Sequence, residues 1–62
     1  MIKMFEACKK EMEFNYKRYD ADLAFNCNVE MVQEWFRDDD LTKEEYKELR
    51  QYNRVLLTKQ PL

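Results

Sequence analysis

Sixty-two residues, 45% hydrophobic and 39% charged with a formal net charge of −2, make one domain (residues 1–62) near the lower size limit for folding alone. The chain has no His, no Ser and no Gly. That excludes Ser–His and Cys–His nucleophilic catalysis and glycine-built phosphate loops, and it removes the commonest metal ligand.

Taken in order, Ile2, Phe5, Cys8, Met12, Tyr16 and Tyr19 recur at spacings of three and four and predict an amphipathic helix over about 2–19. Met4 widens the stripe. Phe14 falls outside the apolar arc, one turn from Lys10 and one turn from Arg18, so either a neighbouring helix covers it or it anchors a partner within a basic frame. Lys3 and Glu6 interrupt the first residues, which leaves no signal-peptide run and gives the expectation of a cytoplasmic protein.

The pattern pauses at Asp20-Ala21-Asp22, where either Asp can cap a short helix over 21–25, unless the first helix simply continues to Phe25. Asn26 is then expected in a left-handed turn and Asn28 as the N-cap of a helix over 28–37. This helix buries Val29, Val32 and Phe36 beside Met31 and Trp35, leaving Glu30, Gln33, Glu34 and Arg37 outward. Asp38, Asp39 and Asp40 end it as a solvated turn, since three consecutive carboxylates lack the alternating spacing of a calcium loop. Thr42 with Glu45 makes a capping box, and Leu41 with Tyr46 a hydrophobic staple. They start a helix over 43–57 whose stripe is Tyr46, Leu49, Tyr52, Leu56 and Leu57. Cys8 and Cys27 are too few for a four-ligand zinc site and read as reduced core residues.

The expected fold is therefore all-α, a bundle of three or four helices with Trp35, Phe36, Phe5, Met12, Leu49 and Tyr52 inside. Charge is sorted along it: residues 1–19 and 41–62 each carry net +2, while residues 20–40 carry net −6. Lys43, Lys47, Arg50 and Arg54 share one stripe of the last helix. Like charges at i,i+4 cost a few tenths of a kcal/mol each, so something acidic is expected to face them, from within the chain or from outside.

The order at residues 21–36, an apolar residue, a turn residue, a small apolar residue, a cap and apolar residues three and six later, resembles the turn and second helix of a helix-turn-helix domain. The resemblance implies a second helix lying in the major groove. Gln33 and Arg37 would face the DNA, with Lys43, Lys47, Arg50 and Arg54 on phosphates. Glu30 and Glu34 on that same face put DNA binding second.

The leading expectation is a small intracellular, non-enzymatic regulator or inhibitor that binds another protein and needs no cofactor or metal. Its size and composition are similar to those of small accessory proteins of phages and mobile elements. Two surfaces are candidates: Glu30, Glu34, Asp38, Asp39 and Asp40 toward a basic, even nucleic-acid-binding, partner, and Phe14 with Lys10 and Arg18 toward an acidic, apolar groove. Phe14 is also the natural contact of a homodimer.

Overall fold

The computed structural model describes residues 4–60. Ile2 and Pro61, expected to open the first stripe and to follow the last helix, lie outside the described residues. The fold is all-α, with α1 Met4–Arg18, α2 Ala21–Arg37 and α3 Lys43–Thr58, and every pair of helices is in contact. α3 runs antiparallel to α2, because Phe36 stacks on Tyr46 at one end while Asn53 donates to the Phe25 carbonyl at the other.

The connections explain the boundaries. Two residues, Tyr19 and Asp20, join α1 to α2, with Asp20 in an extended conformation at the N-cap and its carbonyl accepting from the Ala24 N–H at 2.8 Å. α2 ends in a Schellman closure: Asp39 N–H donates to Phe36 O at 3.1 Å and Asp40 N–H to Trp35 O at 2.9 Å. That closure needs a left-handed residue, and in a chain without glycine Asp39 supplies it at φ 63°. The start of α3 is the anticipated capping box. Thr42 Oγ1 accepts from Glu45 N–H at 3.1 Å, and Glu45 Oε1 accepts from Thr42 N–H at 2.9 Å. Leu41 is buried, and Tyr46 packs on the same apolar cluster.

Residues 21–25 and 28–37 do not form separate helices. α2 passes uninterrupted through Asn26, whose side-chain amide donates back to the Asp22 carbonyl at 2.9 Å, one helical turn earlier. The left-handed residue is Asp39, not Asn26. Nor is Asn28 an N-cap: it is fully buried on the stripe Ala24, Asn28, Val32. Asparagine is only mildly unfavourable inside a helix, and the burial of this stripe requires helical register on both sides of position 28.

Cys8, Met12, Val32, Leu41 and Leu49 form the apolar centre. Phe5, Trp35 and Tyr52, expected inside, are only half-buried at its edge. Phe36 is 37% exposed and instead stacks on Tyr46, with centroids 4.5 Å apart and planes inclined by 16°. Each helix contributes an asparagine to the middle, and Tyr16 is the one aromatic ring buried there among the described residues.

Asn15 Nδ2 donates to Asn28 Oδ1 at 2.7 Å, and Asn28 Nδ2 donates to Asn53 Oδ1 at 3.0 Å and to the Met12 carbonyl at 3.3 Å. The Tyr16 hydroxyl donates to Asn53 Oδ1 at 2.9 Å, and Asn53 Nδ2 closes onto Phe25 O at 3.1 Å. Arg18 Nη2 adds a bond to Asn15 Oδ1 at 2.6 Å. Among the described residues no buried side-chain nitrogen or oxygen is left without a partner.

A half-satisfied buried network costs more than an apolar one, so truncating its hub should be felt. Asn28→Ala should lower the unfolding free energy by about 1–3 kcal/mol. The cap variant Thr42→Ala should lose about 1 kcal/mol. Urea unfolding followed by circular dichroism reads both; an Asn28→Ala protein as stable as wild type would remove the network from the account of this fold.

Candidate functional site

Glu30, Glu34, Asp38, Asp39 and Asp40 are all exposed. On α2 the exposed Leu23 lies at i−7 from Glu30 and i−11 from Glu34, so the three share one outward stripe. Gln33 and Arg37 are also exposed on this helix. Among the described residues, no three or more His, Cys, Asp or Glu side chains converge as a metal site.

Phe14 is 49% exposed and no neighbouring helix covers it. The Arg18 guanidinium lies 4.5 Å from its ring centroid and 5.1 Å from that of Tyr19, and is further held by Glu11 at 3.2 Å and by Asn15. Arg18 therefore ties the buried asparagines to an exposed aromatic pair. Lys10 is exposed and stands outside this stack.

Lys43, Lys47, Arg50 and Arg54 are exposed along α3. Among the described residues the one ion pair within 4.0 Å is Arg18–Glu11, so no carboxylate of the −6 segment is in contact with this stripe. Arg50 rests over the Tyr46 ring at 5.6 Å. Its neighbours Lys47, Gln51 and Arg54 line a shallow depression with it.

The concave feature that periodicity did not reveal lies beside that stripe. Between α2 and α3 a groove of about 300 Å³ has Phe25, Val29, Val32 and Leu49 as its apolar wall, with Asn28 and Asn53 among its lining residues. Arg50 and Arg54 border both this groove and the basic depression. Two guanidinium groups one turn apart at the mouth of an apolar slot suit a carboxylate-bearing, apolar ligand group.

A second groove of about 390 Å³ runs between α1 and α3, past Phe5, Tyr52 and Val55. Lys9 Nζ lies 5.3 Å from the Phe5 centroid and 4.8 Å from that of Tyr52, so its ammonium covers the ring faces this groove offers. The α2–α3 groove is the more enclosed of the two.

No protein-family model matches the chain, and neither curated proteins nor solved structures give it a significant relative. No described helix is long and apolar enough to cross a membrane.

The pKa values of Cys8, Tyr16 and Tyr52 are raised, which favours their protonated forms. Burial, with a smaller contribution from Glu11, pushes Cys8 from 9.0 up to about 11. The hydrogen bond that the Tyr52 hydroxyl donates to Glu13, followed by burial, pushes Tyr52 from 10.0 up to about 12. A thiol held this way is a poor nucleophile.

Both folded pKa values exceed the unfolded ones, so the stabilisation is complete below the unfolded values. It declines once pH passes 9.0 and is gone above about 11 for Cys8 and about 12 for Tyr52. The urea midpoint should be level from neutral pH to about 9 and fall above it. A midpoint that rises through that alkaline window would contradict these assignments.

Proposed function

We propose that this chain is a small non-enzymatic regulator or inhibitor that acts by binding another protein, with the α2–α3 groove and its arginine rim as the docking surface. The observation that carries this reading is the pairing of an apolar slot with Arg50 and Arg54, in a stripe of like charges to which the chain supplies no ion-pair partner among the described residues. Stability favours mixed signs along a helix, so a stripe kept basic at a cost in helix energy is accounted for by something that binds it.

The partner this surface fits is an acidic protein segment with at least one apolar side chain to enter the slot. Absence of His and Ser, together with a raised Cys8 pKa, fits a binding rather than a catalytic role. The acidic residues of α2 and the following turn, and the Phe14–Arg18–Tyr19 stack, are convex neighbours of the groove's helices and offer secondary contacts.

The reading is tested by affinity purification with quantitative mass spectrometry, followed by titration of the recovered protein against purified variants. Arg50→Ala/Arg54→Ala should weaken binding at least about tenfold, in line with the loss of charge-assisted contacts. Phe14→Ala and Glu30→Gln/Glu34→Gln should change it less. Equal recovery by all of them would place the binding site elsewhere. Retardation of duplex DNA that survives competitor and is lost in Arg37→Ala would replace this reading with the helix-turn-helix one.

A further inference from the structure

The stripe on α2 that has no use inside the chain has the chemistry the groove calls for. Leu23 is 50% exposed although it is a large aliphatic residue in a small protein that needs every such group for its core. Glu30 and Glu34 follow it on the same outward stripe, exposed, and among the described residues neither is ion-paired. This is an apolar anchor followed by two carboxylates on one rigid helix.

Spacing matches as well as sign. At 1.5 Å per residue, Glu30 and Glu34 lie about 10 and 16 Å beyond Leu23 along the α2 axis. On α3, Lys47 and Lys43 lie about 7 and 13 Å from the middle of the slot's α3 lining, which runs from Leu49 to Arg54, an offset that the long Glu and Lys side chains span. An α2 from another molecule, laid antiparallel to α3, therefore places Leu23 in the slot while Glu30 and Glu34 run toward Lys47 and Lys43.

We propose that the α2–α3 groove of one molecule takes the Leu23–Glu30–Glu34 stripe of a second copy of this chain. The inference rests on the reading of the groove as a docking surface and names an occupant for it. Donor stripe and acceptor groove are different patches, so the contact is heterologous and a dimer retains one free donor stripe and one free acceptor groove. Association then proceeds beyond a dimer as concentration rises. Self-association and capture of an acidic partner compete for one groove, so a partner binds only grooves that no other copy fills.

Sedimentation velocity on the full chain tests this. At low ionic strength the weight-average mass should rise with concentration to at least about twice that of the monomer, and in molar salt, where the Debye length is about 3 Å, it should return to the monomer value. Glu30→Lys/Glu34→Lys alone and Lys43→Glu/Lys47→Glu alone should each stay monomeric. All four positions are exposed, and circular dichroism should confirm that the helices persist. An equimolar mixture of the two variants should associate again, because each restores the sign that the other lost.

A wild type that is monomeric throughout would overturn the proposal, and so would variants that associate alone or a mixture that does not. The partner titration against Arg50→Ala/Arg54→Ala is read independently, so a monomeric chain whose groove still binds its partner separates failure of this inference from failure of the proposed function.

Discussion

The bundle turns on a fully buried amide, that of Asn28, which accepts from Asn15 on α1 and donates to Asn53 on α3. Apolar contacts tolerate sliding and rotation of helices, since one methyl group substitutes for another, whereas amide bonds in a low-dielectric centre are satisfied in one arrangement. Moving any of the three helices by one residue along its axis would strand the Asn28 amide. A chain of this length has only about 3–9 kcal/mol of stability to work with, so one stranded amide is a large part of the total. The network therefore selects this packing over other packings of the same helices, as single buried asparagines do in coiled coils.

That choice has consequences at the surface. With Asn15, Asn28 and Asn53 occupying central positions beside Met12, Val32, Leu49 and Cys8, Tyr16 is the one aromatic ring buried among the described residues. Trp35, Phe5 and Tyr52 are displaced to the edge, Phe36 and Phe14 further out, where they stack with Tyr46 and Arg18. Asn28 and Asn53 are also small enough to leave the α2–α3 seam partly open, and the groove lies over them. The element that fixes the fold thereby shapes its best binding surface, and Arg18 extends the same network to the aromatic pair on α1.

What could be read in the sequence follows the range of the interactions. The start of α3 was legible because a capping box is settled within three residues. The outward placement of the acidic residues of α2 and the basic stripe of α3 was legible from helical periodicity, which also set Phe14 off the apolar stripe of α1 but left open whether another helix covers it. The continuity of α2 was not, because Asn26 and Asn28 carry turn and cap preferences locally, and only the burial of Asn28 against two other helices overrides them. The network itself joins residues 13 to 37 positions apart. Its trace in the sequence was an asparagine one turn from core positions, Asn28 between Ala24 and Val32 and Asn53 after Leu49. The groove depends on how two helices pack and left no local mark.

The most direct test of the claim that these amides fix the bundle is hydrogen exchange of the asparagine side-chain Nδ2 protons, resolved by NMR. If these amides fix the bundle, the Asn28 protons, and the bonded protons of Asn15 and Asn53, are shifted from free-amide positions and exchange only through opening of the whole bundle. They should then be as protected as the backbone amides at the middle of α2. Asn28 side-chain protons that resonate as free amides and exchange at the rate of an exposed asparagine, in a protein whose backbone remains protected, would contradict it.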